Sequence, residues 1–282
     1  MTSWAGDFRR RIFARYPTMV IGGLLLVFMA LVAILAPYIA TADPIRLNPV
    51  ARLRPPEAEH LFGTDMYGRD IFSRTVYGAR VSLIVGLSAA VLSICFGLLI
   101  GLISGYIRWL DAIIMRLMDG LMAIPGILLA IALVSLSGAS LVTVIVAITV
   151  PEVPRVVRLV RSIVLSVREE PYVEAAVAAG TRLPRILIRH VLPNTIPPLI
   201  VQATYVCGSA MLTEAILSFI GVGTPPEIPS WGNIMSEGRT YFQISPWIIF
   251  FPGLALALTV LAVNVLGDGL RDTLDPRIAR KM

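Results

Sequence analysis

The chain has 282 residues, of which 56% are hydrophobic and only 15% charged, and its mean hydropathy is +0.80. A soluble domain carries about a quarter charged residues and a disordered chain needs low hydrophobicity, so the composition argues against both. The net charge of +6 does not indicate nucleic acid, because the 24 basic residues flank long apolar runs, as they do on membrane loops.

A bilayer core about 30 Å thick needs about 20 helical residues to cross it. Five uncharged windows are that long. They hold 27 residues between Arg15 and Asp43, 27 between Arg80 and Arg108, 32 between Asp119 and Glu152, 24 from His190 to Thr213, and 28 between Arg239 and Asp268. The longest contains Ser135-Leu136-Ser137-Gly138-Ala139-Ser140, a turn-forming cluster, and divides into two helices. The first of these is expected to start near Asp111. The second is expected to run past Glu152 to Val167, kinked at Pro151 and Pro154. Arg155, Arg158 and Arg161 recur every three residues and share one face of it. The expectation is an all-α integral membrane protein with six transmembrane helices.

Lys and Arg set the orientation. The N-terminus (1–16), loop 106–119, loop 152–195 and the tail 268–282 together carry 17, against 7 on the opposite side. The positive-inside rule then places both termini in the cytoplasm, although six arginines in loop 41–80 oppose it. Arg10-Arg11-Ile12-Phe13 looks like a twin-arginine signal. The apolar run behind it is too long for a signal h-region, so it reads as an uncleaved first span. Phe8 to Phe13 reads as a basic segment lying on the membrane surface.

Little in the chain suggests catalysis. Cys95 and Cys207 sit singly in apolar runs, and His60 and His190 have no nearby partner, so neither disulfide nor metal spacing is present. The only lysine is Lys281. A phosphate-binding P-loop requires a lysine after its glycines, so any ATP hydrolysis belongs to another chain. No catalytic residues and no cofactor are expected here.

Loop 165–195 is hydrophilic yet ordered in pattern. Pro171 is a favoured first-turn residue, with Glu169 and Glu170 at the helix's positive end. Gly180 is a C-terminal stop. A short second helix is expected to follow Pro184 and to end before Pro193. The alanines at 175, 176, 178 and 179 permit close approach, and Arg182, Arg185 and Arg189 ring the second half. On physics alone, this is either a solvated hairpin or a docking surface.

Glu174-Ala175-Ala176-x-x-x-Gly180, followed by Leu192-Pro193, resembles the coupling loop of ABC importer permeases. Arg189-His190-Val191-Leu192-Pro193-Asn194 resembles the dipeptide/oligopeptide/nickel branch. So do Gly63-Thr64-Asp65-x-x-Gly68-Arg69-Asp70, Ser218-Phe219-Ile220-Gly221-Val222-Gly223 with Ser230-Trp231-Gly232, and Gly267-Asp268-Gly269-Leu270-Arg271-Asp272. Within that branch the chain is similar to the second, C-type permease. The resemblance covers about residues 15–280.

It implies a type I ABC importer permease fold in a bacterial inner (plasma) membrane, and a division into 1–78, a permease core at 79–270 and a tail at 271–282. It implies a heterodimer with a homologous B-type permease, two ATP-binding subunits that carry ATP and magnesium, and a periplasmic or lipid-anchored substrate-binding protein. The implied cargo is di- or oligopeptide; nickel, opine and glutathione-like solutes are alternatives in the same family. The residues implied in ATPase coupling are Glu174, Ala175, Ala176, Gly180, Arg182, Leu192 and Pro193.

Three further features carry two readings each. Glu214 is either a polar residue of the translocation path or an interfacial carboxylate near the outer end of its span. Asp65, Arg69, Asp70 and Trp231 either face the partner permease or binding protein, or form intramolecular pairs. Gly86, Gly97, Gly101, Gly105 and Gly126 favour close helix packing over substrate contact. An ion-coupled secondary transporter is the more remote alternative. It needs mid-membrane carboxylates or an inverted repeat, and apart from Glu214 neither is evident.

Overall fold

The computed structural model describes residues 17–274, which are helical apart from the outer loops and short turns. Both termini, the Phe8–Phe13 segment and the twin-arginine stretch lie outside the described residues. The helices in chain order are α1 (Pro17–Ile34), α2 (Ala36–Ile39), α3 (Ile71–Tyr106), α4 (Arg108–Ala123), α5 (Gly126–Ser137), α6 (Leu141–Val167), α7 (Pro171–Ala178), α8 (Leu183–Ile186), α9 (Leu192–Phe219), α10 (Trp231–Gly238) and α11 (Trp247–Leu274).

Among the described residues, four helices are long and apolar enough to cross a membrane: α1, α3, α11, and α8 to α9 taken as one run from Leu183 to Phe219. The expected third span is two helices, α4 and α5, which meet at 88°. The break has a local cause: Pro125 forces Ile124 into an extended conformation (ψ 128°), so the helix stops before it. With α4 and α5 counted as one broken span there are five. The expected fourth span, α6, does run from Leu141 to Val167, but it carries Glu152, Arg155, Arg158 and Arg161 and is too charged to join them. Pro151 and Pro154 lie inside it without ending it.

Capping explains several boundaries. Asp70 caps α3, its Oδ2 accepting from the Ser73 amide at 2.8 Å and from the Ser73 hydroxyl at 2.7 Å. Ser140 caps α6 by accepting from the Thr143 amide, and Gly138 turns the chain before it at φ 84°. At 36 residues α3 is about 54 Å long, so it outreaches the hydrocarbon core and its polar first turns project beyond it.

α3 and α6 pack closely along a row of glycines. Gly97, Gly101 and Gly105 face Val156, Val160 and Val164, one pair per helical turn. A Cβ at each glycine would lie 2.4, 2.7 and 2.7 Å from the opposing valine Cβ, so only hydrogen fits. Close approach of this kind replaces the hydrophobic effect, which cannot drive helices together in lipid. The outermost helix, α1, is held in the same way against α11: a Cβ at Gly22 would lie 2.6 Å from the Leu266 amide nitrogen. α9 packs on α3, α6 and α11 at the centre.

Polar pairs position α4. Arg161 of α6 donates to both carboxylate oxygens of Asp111, and Arg158 donates to Asp119 at 2.6 Å. Two of the three arginines on the face seen in the sequence thus reach across to α4, while Arg155 pairs with Glu152 on its own helix.

Candidate functional site

The α6–α9 connection is a helical hairpin that carries many exposed side chains. α7 begins at Pro171 and ends in a Schellman motif. Gly180, at φ 73°, donates its amide to the Val177 carbonyl, and Thr181 donates to Ala176. α8 then starts at Leu183. The expected stop before Pro193 does not occur. Leu187–Val191 is a π-helical turn that runs directly into α9, with the Leu192 amide bonded five residues back to Leu187. Pro193 lacks an amide hydrogen and its ring crowds the preceding turn, and the wider π turn accommodates both.

The hairpin is anchored on one side only. Val173, Ile186 and Val191 are buried in the main core beside Val164 and Val167, the last turns of α6. Asn194 donates to the Tyr172 hydroxyl at 3.3 Å, tying α7 to the start of α9. On the other side Glu174, Ala175, Gly180, Arg182 and Pro193 are exposed, while Ala176 and Leu192 are half-buried. Tyr172, Val177 and Ile188 are exposed at 46%, 51% and 66%; the sequence reading did not single them out. Most of the motif's side chains, together with Arg182, Arg185 and Arg189, are thus exposed on a hairpin fixed to the ends of two long helices.

The opposite end of the molecule is closed. Asp65, Arg69, Asp70 and Trp231 are all buried, so the side chains that might have met a partner point inward. Asp65 accepts from Arg69 at 2.6 Å and from Arg74 at 2.5 Å, and both arginines also donate to Glu237 of α10. Charges taken out of water require such pairing, which accounts for the mixed signs in loop 41–80. Asp70 holds Thr41, Ser73 and His60. The Trp231 indole donates to the Thr75 carbonyl at 2.9 Å. Glu237, the shared acceptor, lies 168 residues from Arg69 and has no local signal in the sequence.

Glu214 is fully buried, not at a watery rim. The Ser218 hydroxyl on its own helix donates to its Oε1 at 2.8 Å and also meets Thr224 of the following loop. Its Oε2 has no hydrogen-bond partner among the described residues. It ties the end of α9 to the loop before α10.

One cavity combines depth with polarity. It encloses about 290 Å³ between the α4–α5 break, α6 and α9, and Glu152, Arg155, Ser209 and Thr213 supply its polar wall. Glu152 accepts from Arg155 at 3.0 Å and from Ser209 at 3.3 Å. The sequence reading used Glu152 only as the end of an apolar window. The signal available was an acidic residue between two prolines inside a helix long enough to span. Among the described residues, no group of three or more His, Cys, Asp and Glu is arranged to hold a metal.

The family model for "binding-protein-dependent transport system inner membrane component" matches residues 79–280, and that for "N-terminal TM domain of oligopeptide transport permease C" matches residues 3–56. A "Probable peptide ABC transporter permease protein" of Sinorhizobium fredii is 59% identical over 271 residues, covering 96% of this chain and 93% of its own. A dipeptide transport system permease protein of Alkalihalophilus pseudofirmus is 46% identical, covering 92% and 86%. Among solved structures, an inward-facing MetNI methionine ABC transporter chain is similar at a TM-score of 0.59 and 20% identity, covering 73% of this chain and 98% of its own. The chain belongs to the binding-protein-dependent transport system inner membrane component family: it is an all-α, multi-pass, non-catalytic permease subunit with the type I ABC importer fold.

Proposed function

We propose that the chain is the C-type permease of an ATP-driven importer of di- and oligopeptides. It forms half of the translocation pathway beside a homologous B-type permease. Two ATP-binding subunits hold ATP and magnesium on the cytoplasmic side, and a binding protein delivers peptide from outside. The peptide cargo follows from relatives named for peptide and dipeptide transport at 46–59% identity over more than nine-tenths of the chain. The proposed division is 1–78, 79–270 and 271–282.

In this reading the chain crosses the membrane six times with both termini cytoplasmic. The four apolar helices, the broken α4–α5 pair and α6 make up the six. At 27 residues α6 is about 40 Å long and reaches across a bilayer, and its charges are paired to α4 or to each other.

The ATPase docks on the exposed face of α7–α8. Glu174 sits in the first turn of α7, Ala175 and Ala176 let a partner surface approach closely, and Gly180 makes the turn. Arg182 stands on the rim, and Leu192 with Pro193 begins the helix that carries motion upward. The observation that carries this reading is the asymmetry of the hairpin, with one side locked into the core beneath α6 and the other bare. A displacement of α7 is transmitted to α6 and α9 because Val173, Ile186 and Val191 leave it no independent freedom. Alternating access then needs two packings of similar energy, biased by ATP binding.

The test is uptake of labelled dialanine into proteoliposomes containing this chain, its partner permease, both ATPases and the binding protein. The reading requires uptake that depends on both ATP and the binding protein. Uptake driven by an ion gradient without ATP would overturn it.

A further inference from the structure

Lengths along three helices put the polar cavity at a similar depth. Glu152 lies 11 residues into α6, about 16 Å from that helix's outer end. Ser209 lies 10 residues before the end of α9, about 15 Å in. The break at Pro125 lies one 12-residue helix, α5, below the same outer turn, about 18 Å. Half of a 30 Å hydrocarbon core is about 15 Å. The cavity is therefore at mid-membrane, where an uncompensated carboxylate is expensive and irregular backbone is tolerated only beside a cavity.

Its walls carry opposite charges with different freedom. Glu152 is buried at 7% exposure and held by the Ser209 hydroxyl, so its position is fixed. The Arg155 side chain is 48% exposed, one turn away on the same helix, so it can leave Glu152 without unpacking anything. Pro125, at the N-cap of α5, and Gly126 and Ile127 in its first turn form the facing wall. The leading amides of a helix have no partner within it, and they point toward the space before the helix. The apolar remainder comes from Leu121, Met122 and Ile148. The volume of about 290 Å³ sits at the small end of known small-molecule sites, about 300–1,000 Å³.

We infer that this cavity is the chain's own binding site for the peptide in transit, with Glu152 taking the substrate's N-terminal ammonium in place of Arg155. The released Arg155 and the α5 amino end then face the substrate's carboxylate or carbonyl groups. The two charges every free peptide carries meet two opposite charges, and no side chain of the peptide is read. That suits an importer whose selectivity is supplied by a separate binding protein. The inference rests on the peptide reading above and adds the site and the chemical group recognised.

The test has two arms. In the reconstituted importer, Glu152→Gln is expected to lower dialanine uptake at least tenfold while the complex is recovered in normal yield, and Glu152→Asp is expected to retain much of the uptake. A Glu152→Gln complex that assembles and imports within twofold of wild type overturns the inference. A wild-type importer that takes up no dipeptide overturns the peptide reading instead, so the two failures are distinct.

The second arm leaves Glu152 intact. With Cys95 and Cys207 replaced by serine and alanine, Thr213→Cys, which keeps the Ser209 donor to Glu152, reports access to the cavity through a thiol reagent, in the absence of the binding protein. Dialanine at millimolar concentration is expected to slow labelling at least threefold, and N-acetyl-dialanine, which lacks the ammonium, is expected to leave it unchanged. Equal protection by both peptides, or by neither, overturns the role assigned to Glu152.

Discussion

Replacing Gly97 by alanine tests the α3–α6 contact quantitatively. The new methyl would lie 2.4 Å from both Cβ and Cγ1 of Val156, against an optimum of about 3.5–4.0 Å between apolar carbons. The helices must separate by about 1 Å, which also loosens the Gly101–Val160 and Gly105–Val164 contacts in the turns below. Overpacking of this kind costs about 1–3 kcal/mol. Alanine also raises helix propensity by about 1 kcal/mol, which masks part of the loss. Gly120→Ala removes that ambiguity. Gly120 is exposed in α4 with nothing within 4 Å of its added Cβ, so it shows the propensity gain alone. The difference between the two variants is then the packing penalty, about 1–3 kcal/mol. The assay is SDS-induced unfolding of the purified complex followed by far-ultraviolet circular dichroism. If Gly97→Ala resists SDS as well as Gly120→Ala does, the helices are not in the backbone-close contact described.

Arg74→Met removes one of two cations from the Asp65–Glu237 pair and should cost about 3–5 kcal/mol locally, seen as faster hydrogen exchange in residues 41–70. Replacing all four members of the cluster, Arg69, Arg74, Asp65 and Glu237, together with apolar residues should recover much of that protection. Trp231→Phe removes the indole donor from the Thr75 carbonyl, which keeps its place in the α3 ladder, and should lower stability by about 0.5–1.5 kcal/mol in the same SDS assay. Gly180→Ala meets no neighbouring atom, so its cost is the left-handed backbone alone, about 1–2 kcal/mol, read as fraying of α7 by hydrogen exchange. Asparagine at that position should be milder.

The parts of the molecule legible in the sequence are those written in local patterns. Apolar runs located the membrane helices, Pro171 and Gly180 bounded α7, and Ser135–Ser140 marked the turn before α6. The Glu174-to-Pro193 spacing pointed to a loop with side chains free for a partner, and most of those side chains are exposed. What stayed hidden depends on residues far apart in the chain. Charge signs in loop 41–80 do not reveal that Asp65, Arg69 and Arg74 turn inward, because their acceptor Glu237 is supplied by α10. Glu214 looked like a residue near water because it lies few residues from a loop, but that loop folds over it. The break at Pro125 was a local signal that the long apolar window concealed, since hydropathy averages over the change of direction. The cavity at Glu152 needed three helices to be placed before its residues could be seen together.

The central claim is that the bare face of α7 is where an ATPase docks. Glu174 and Ala175 are both exposed, so Glu174→Arg combined with Ala175→Trp leaves the core untouched, and surface changes of this kind shift stability by only about 0.5 kcal/mol. The measurement is co-purification of the ATP-binding subunits with this chain, wild type against the double variant, with pairing to the partner permease scored in the same sample. Docking through α7 predicts loss of the ATPase from a complex that still contains both permeases. Full recovery of the ATPase with the double variant would contradict it.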